Sequence, residues 1–111
     1  MRPKRTKRDS NHAEIRDGLR QLGAIVWDTA DLGGEILDLL VFWQGKCVPV
    51  EVKPLGRESD LTEGERKSIE MLRVVGIEAV VATRVEDVIE ALRVESTGAD
   101  AVKDGCNARN A

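Results

Sequence analysis

The sequence has few aromatic residues, few cysteines and no long hydrophobic run, and each scarcity excludes a class of protein. Trp27, Phe42 and Trp43 are the only aromatic residues, so we expect an almost entirely aliphatic core. Cys47 and Cys106 lack the spacing of a disulfide framework or a zinc site. No apolar stretch approaches the length of a membrane span, and the basic N-terminus lacks the hydrophobic segment of a secretory signal. These features predict a cytoplasmic protein in a reduced compartment, with no membrane partner.

The length of the chain limits its organisation. With 111 residues and 41% hydrophobic content, it can bury one core but not two. We expect one folded domain at residues 10–93, preceded by a basic flexible arm at 1–9. Residues 94–111 lack apolar periodicity and are rich in small and polar residues, so they are predicted to form a flexible tail.

The net charge of −3 is unevenly distributed. Five cationic residues lie among the first eight, which leaves 12 basic against 20 acidic residues, a net charge of −8, in the rest of the chain. A basic arm of this kind predicts contacts with a nucleic-acid backbone, and a disordered solubilising terminus is the alternative. The cationic residues of the arm are Arg2, Lys4, Arg5, Lys7 and Arg8. Arg57, Arg66 and Lys67 are further candidates, for which a solvated helix face is the alternative.

Two strand-like runs, 36–43 and 46–53, flank the dipeptide Gln44-Gly45, which is typical of a tight hairpin turn. With a two-residue turn, Trp43 pairs with Lys46, and the two residue numbers of every opposed pair sum to 89. Pro49 falls inside the second run, where its missing N–H points away from the first strand. The sequence therefore predicts an antiparallel hairpin with a defined register.

In this register Asp38 lies directly opposite Glu51, at a non-hydrogen-bonded pair where side chains approach most closely. Two carboxylates so placed repel each other, which favours a cation between them. Ligation by oxygen alone points to Mg²⁺ or Mn²⁺. Lys53 lies on the same face as Glu51 because side chains alternate along a strand, and it could polarise a phosphate or orient an attacking water.

A hairpin with a solvated, charged face is the alternative interpretation. Against it, Leu40 and Phe42 share the face of the charged residues, so that face is expected to be at least partly covered. The opposite face is entirely apolar, with Leu39, Val41, Val48, Val50 and Val52. Charges that enter a covered sheet need partners, which favours a functional site.

Periodicity and capping signals predict the remaining elements. Thr62 and Glu65 form a capping box for the helix that follows the hairpin, and Thr83 precedes the last helix. Glu14 could complete a similar box with Asn11 as the cap of the first helix. The predicted order is a helix at 10–22, strands at 24–28, 36–43 and 46–53, a helix from 62 to about 76, a strand at 77–82 and a helix after 83. The crossover through the second helix makes the last strand parallel to the second strand of the hairpin.

A series of motifs between residues 11 and 92 resembles a known enzyme family. Asp38, twelve intervening residues, and then Glu51-Val52-Lys53 look like the signature of the PD-(D/E)xK nuclease superfamily. The surrounding motifs are similar to those of the small stand-alone VRR-NUC proteins of phage and bacterial genomes. In order, these motifs are Asn11-His12-Ala13-Glu14, Trp27-Asp28 before Gly33-Gly34, the hairpin, and Leu61-Thr62 with Gly64.

The resemblance implies a metal-dependent endonuclease with a restriction-endonuclease-like α/β core, a mixed four-stranded sheet flanked by helices in the order αβββαβα. It implies that Asp38, Glu51 and the backbone carbonyl of Val52 bind Mg²⁺ or Mn²⁺, and that Lys53 is the catalytic lysine. Glu14 matches a position that assists metal binding in parts of the superfamily. The implied partners are DNA, including branched or Holliday-junction DNA, and a second copy of the chain in a homodimer.

The chain departs from the family pattern at two positions. Leu37 stands where proline usually precedes the metal-binding aspartate, and Glu65 stands where many members have glutamine. Neither change removes a predicted ligand, but the role of Glu65 is open: it could add a carboxylate near the site or lie on the surface. A non-catalytic nucleic-acid-binding protein on a nuclease scaffold is the alternative function, and an interaction module without a nucleic-acid partner ranks after it.

Overall fold

The computed structural model describes residues 10–93, which form three α-helices and a four-stranded mixed sheet. The predicted arm at 1–9 and tail at 94–111 lie outside the described residues. The helices are α1 (Ser10–Gln21), α2 (Glu63–Val74) and α3 (Val85–Arg93), and the strands are β1 (Ile25–Asp28), β2 (Leu39–Trp43), β3 (Lys46–Val52) and β4 (Val80–Ala82). A short 3-10 turn, Ala30–Leu32, follows β1. The predicted order of elements is confirmed.

The strands lie in the order β1-β2-β3-β4. The β1/β2 and β2/β3 pairs are antiparallel, whereas β3 and β4 are parallel. The parallel pair follows from the chain direction, because α2 carries the chain back to the starting side of the sheet before β4 begins. One edge of the sheet therefore collects the ends of β1, β3 and β4 together with the start of β2.

The predicted hairpin register is confirmed. Trp43 pairs with Lys46 and Leu39 pairs with Val50. The turn residues Gln44 and Gly45 have φ values of 46° and 81°, as a two-residue turn with left-handed twist at both positions requires. The local turn thus determines which residues face each other along the whole hairpin.

Strand β2 begins later than predicted, at Leu39 rather than Ile36. The preceding segment forms its own turn, in which the Ile36 N–H donates to the Gly33 carbonyl at 3.3 Å. The Thr29 hydroxyl donates to the Leu37 carbonyl at 2.6 Å, and the Thr29 N–H donates to the Asp38 carbonyl at 2.9 Å. These bonds fix the backbone just before β2.

The core lies between the sheet and the pair of helices α1 and α3. The inward-facing residues of the hairpin that were predicted to be apolar are all buried, and they contact Ile15 and Leu19 of α1 and Val88 and Leu92 of α3. Gly18 allows the two helices to approach, because a Cβ at this position would lie 2.9 Å from a methyl carbon of Val85. The core is aliphatic, as predicted.

Three details of the predicted elements are wrong. Leu22 and Val75, which were assigned to buried stripes, are exposed because α1 ends at Gln21 and α2 ends at Val74. Strand β4 contains three residues rather than six, since only Val80–Ala82 pairs with β3. Within residues 10–93, no helix has the length and apolar character needed to cross a membrane.

Helix α2 lies over the opposite face of the sheet. A groove of about 450 Å³ separates it from that face, and its lining includes Leu40, Pro49, Met71 and Leu72. The Ser68 hydroxyl donates to the Glu35 carbonyl at 2.7 Å and ties α2 to the loop before β2. The first turn of α2 thereby lies near the sheet edge at which Asp38 and Glu51 are found.

Candidate active site

The two predicted carboxylates meet at the edge of the sheet where the hairpin opens. Asp38 lies one residue before β2, and extending the observed register by one pair places it opposite Glu51 of β3. The Val52 N–H donates to Oδ2 of Asp38 at 2.9 Å. The Asp38 side chain is thus held against β3 by a backbone hydrogen bond, as the predicted pairing requires.

Lys53 follows β3 directly and lies between two carboxylates. Its Nζ is 3.0 Å from Oε1 of Glu65 and 3.8 Å from Oε2 of Glu51. The Lys53 side chain is 14% exposed, so much of the ammonium group's solvation is replaced by these contacts. The structure therefore brings together Asp38, Glu51 and Lys53, and it adds Glu65 to the group.

Glu65 reaches the site from the first turn of α2. Thr62 caps this helix, since its hydroxyl accepts from the Glu65 N–H at 3.1 Å while Oε1 of Glu65 accepts from the Thr62 N–H at 2.9 Å. The predicted capping box is thus confirmed. The sequence predicted the box but could not show that its carboxylate also contacts Lys53, because that contact depends on how α2 packs.

The electrostatics of the site centre on Glu51, which is 4% exposed. Burial, a hydrogen bond with Glu65 and the negative charge of Asp38 raise the pKa of Glu51 to about 9. At neutral pH and without a cation, Glu51 therefore holds a proton and shares it with Glu65. A divalent cation would displace this proton, because it offsets the repulsion that makes ionisation unfavourable.

The neighbouring groups stay charged for complementary reasons. Burial raises the pKa of Glu65, but hydrogen bonds from Thr62, Glu51 and Lys53 outweigh it and lower the pKa. Burial lowers the pKa of Lys53, but the hydrogen bond to Glu65 and the nearby carboxylates outweigh it and raise the pKa. An ammonium–carboxylate pair thus lies directly beside the protonated Glu51.

The donor set fits a hard divalent cation. Two carboxylates, Asp38 and Glu51, and the carbonyl of Val52 supply the oxygen ligands that Mg²⁺ and Mn²⁺ prefer, and Mg²⁺ commonly binds through one or two carboxylates with waters completing its shell. Within residues 10–93, no group of three or more His, Cys, Asp or Glu side chains is arranged to hold a metal. A site of two carboxylates and one backbone carbonyl does not require a third acidic ligand.

Glu14 does not lie with these groups. It is exposed on α1, and the possibility of a capping box with Asn11 is wrong, because α1 already includes Ser10 and Oδ1 of Asn11 has no hydrogen-bond partner within the described structure. Its predicted part in metal binding stays a prediction.

Asn11 instead joins the two parallel strands, a role that the sequence did not reveal. Its Nδ2 donates to the Lys53 carbonyl at 2.9 Å and to the Thr83 carbonyl at 2.8 Å. These carbonyls directly follow β3 and β4. One side-chain amide thereby fixes the backbone that carries Lys53. The only signal in the sequence is a polar residue near the buried stripe of α1.

A second polar cluster links α1 to the end of β1. Nε2 of His12 lies 3.1 Å from Oδ1 of Asp28, and Arg16 donates to Oδ2 of Asp28 at 2.8 Å. Burial raises the pKa of Asp28, but the hydrogen bonds and charges of Arg16 and His12 outweigh it and lower the pKa. His12 is 2% exposed, so this cluster fixes the start of α1 against the sheet.

The predicted nucleic-acid contacts are less defined. Arg2, Lys4, Arg5, Lys7 and Arg8 lie outside the described residues. Arg57 is exposed and pairs with Asp60 at 2.6 Å, so part of its charge is already balanced. Arg66 and Lys67 lie exposed on α2, in the turn that also carries Glu65.

Comparison with protein-family models, with curated proteins and with solved structures gave no match for this chain. The function of the site must therefore be argued from its own residues, which combine two opposed carboxylates, a buried lysine and a carbonyl at one sheet edge.

Proposed function

We propose that this protein is a metal-dependent endonuclease that hydrolyses DNA phosphodiester bonds. The observation that carries the proposal is the placement of Asp38 opposite Glu51, with Lys53 3.8 Å from the second carboxylate. The burial that raises the pKa of Glu51 to about 9 gives the site a need for positive charge. The order of elements and the parallel β3/β4 pair support a restriction-endonuclease-like core for the domain.

In this proposal Asp38, Glu51 and the Val52 carbonyl hold Mg²⁺ or Mn²⁺. The bound ion would polarise a phosphate oxygen and lower the pKa of a bound water. Lys53 would orient the attacking water or offset the negative charge that develops on the phosphate, and its raised pKa keeps it cationic for that task. Glu51 must release its proton when the ion binds, so the affinity for metal should increase with pH toward about 9.

The proposed substrate is DNA, and branched or Holliday-junction DNA is the structure to test first. One small site cuts one strand at a time, so a homodimer would be the simple route to paired cuts. The net charge of −8 outside the N-terminal arm makes tight binding of DNA to the domain alone unfavourable. The arm and the metal ion would offset this charge.

The test is cleavage of labelled duplex, single-stranded, flap and four-way-junction DNAs in Mg²⁺, Mn²⁺ or EDTA. Wild type should cut at least one substrate with metal and none in EDTA. Lys53→Ala should lose cleavage by about 100-fold or more, in the range of removing a group that acts on the transition state. Lys67→Ala removes an exposed lysine of α2 and is the matched control.

Undiminished cleavage by purified Lys53→Ala would exclude the assignment of this lysine. DNA binding without any metal-dependent cutting would support the alternative, a non-catalytic nucleic-acid-binding protein on the same scaffold.

A further inference from the structure

A single oxygen of Glu65 connects the first turn of α2 to Lys53. Oε1 accepts from the Thr62 N–H at 2.9 Å and lies 3.0 Å from the Lys53 Nζ. The Thr62 hydroxyl accepts from the Glu65 N–H at 3.1 Å, so the side chain and the backbone of Glu65 are both fixed within one capping box. The carboxylate is therefore positioned by its own helix before it contacts the lysine.

Lys53 has two carboxylates within ion-pair distance, and Glu65 is the closer. Glu51 lies 3.8 Å from Nζ, beyond a direct hydrogen bond, whereas the 3.0 Å contact with Glu65 is within one. Without Glu65, Glu51 is the carboxylate that the lysine already approaches. A small rotation of the flexible lysine side chain would then form a direct bond to it.

Such a bond would oppose the proposed chemistry. An oxygen of Glu51 that accepts from an ammonium group is less available to a divalent cation, and the lysine would be drawn from the phosphate toward the carboxylate. Ion pairs in partly buried surroundings are strong enough to compete in this way, because water screens them less than at the surface.

We propose that Glu65 is a positioning residue that holds Lys53 away from Glu51 and so keeps the Glu51 carboxylate open for the metal ion. The inference rests on the proposed function for the metal site. It goes further in giving the capping box of α2 a second task, which is to separate the lysine from a metal ligand.

The first experiment measures Mn²⁺ binding by calorimetry with the full chain, and so does not depend on cleavage. Glu65→Ala should weaken Mn²⁺ binding by about tenfold, the factor that corresponds to about 1.4 kcal/mol. Glu65→Gln keeps an acceptor for both Thr62 and Lys53, so it should stay within about threefold of wild type. If glutamine weakens binding as much as alanine, Glu65 acts through its charge alone and the proposal is wrong.

A double-mutant cycle separates an effect through Lys53 from a direct effect on the metal. In the Lys53→Met background no ammonium group can reach Glu51, so adding Glu65→Ala should change Mn²⁺ binding by less than about twofold. An undiminished tenfold effect in that background would overturn the proposal, as would wild-type binding by Glu65→Ala alone.

The helix cap needs its own control, because Glu65→Ala also removes half of the capping box. Thr62→Ala removes the other half and should lower stability by about 1 kcal/mol, while Mn²⁺ binding stays unchanged. Glu65→Met, with a side chain that favours helix, replaces alanine if that variant does not fold. Loss of Mn²⁺ binding in Thr62→Ala would instead assign the effect to the cap.

Steady-state cleavage supplies the catalytic readout. At saturating Mn²⁺, Glu65→Ala should lower kcat by about tenfold and leave KM for DNA unchanged, and Glu65→Gln should restore most of kcat. An unchanged kcat would contradict a role in positioning Lys53. Absence of cleavage by wild type itself would count against the nuclease, whereas the binding cycle would still decide the role of Glu65.

Discussion

At the scale of single residues, Glu51 is where the requirements of folding and of metal binding conflict. Its carboxylate is 4% exposed and lies beside Asp38 and Glu65, so ionisation is unfavourable without a cation. The folded pKa of about 9 exceeds the ordinary value of 4.5. Between these pH values the folded protein binds more protons at this position than the unfolded chain, so the contribution of Glu51 to stability falls as pH rises.

We therefore expect Glu51→Gln to stabilise the metal-free protein. Glutamine cannot ionise, so at pH 7 in EDTA the free energy of unfolding should increase by roughly 1–3 kcal/mol, measured by urea denaturation. The gain should be small near pH 4.5 and grow toward pH 9. Asp60→Asn, an exposed carboxamide change, is the control. A variant no more stable than wild type at pH 7 would contradict the raised pKa of Glu51.

At the scale of the elements, α1 holds the sheet edge on which the site lies. Asn11 bonds to the carbonyls that follow β3 and β4, and Asp28 at the end of β1 bonds to His12 and Arg16. These contacts join the start of α1 to three of the four strands. The backbone of Lys53 is thus held from α1, and its side chain is held from α2.

Asn11→Ala should loosen this edge. It removes two hydrogen bonds and leaves two carbonyls unpaired, so we expect a loss of about 1–3 kcal/mol in the free energy of unfolding. Hydrogen exchange should increase at the Lys53 amide, which donates to the Ala82 carbonyl at 2.9 Å. Glu14→Ala on the same helix is the control, with stability within about 0.5 kcal/mol of wild type. Unchanged exchange at Lys53 would contradict the role of Asn11.

The hairpin could be predicted because its information is local. A two-residue turn and the alternation of side chains determine the register, and with it the pairing of Asp38 with Glu51. The contacts of Asn11 and Glu65 could not be predicted, because they join residues far apart in the chain; Asn11 reaches across 42 and 72 positions. Such contacts depend on how helices pack, which periodicity does not specify. The end of α2 was misplaced because Val75 continues the apolar period beyond the last helical residue.

At the scale of the whole molecule, charge is separated along the chain. The first eight residues hold five of the 17 basic residues, and the remainder is acidic. Long-range repulsion between the acidic domain and DNA must be offset if the proposed substrate is to bind. The arm is the largest concentration of positive charge that the sequence offers for this purpose.

Replacing the five cationic residues of the arm by glutamine should weaken DNA binding and reduce its dependence on salt. If all five contact phosphates, the slope of log K against log salt concentration should become less steep by about 4 for duplex DNA. Fluorescence anisotropy in Ca²⁺, over a range of salt concentrations, measures both quantities. Arg73→Gln, which removes a charge already paired with Glu70 and Glu78, is the control. An unchanged slope would show that the arm does not contact the backbone.

The two-residue turn at Gln44-Gly45 has an evolutionary consequence. Because the register passes from this turn to Asp38 and Glu51, inserting or deleting one residue in the loop would put Asp38 opposite a valine and separate the two carboxylates. Substitutions in the strands preserve the pairing, provided that their side chains still fit. Natural variants of this hairpin should therefore diverge freely in loop sequence while length changes occur in compensated pairs, one on each strand, so that an insertion map of homologous genes would have a gap at this turn.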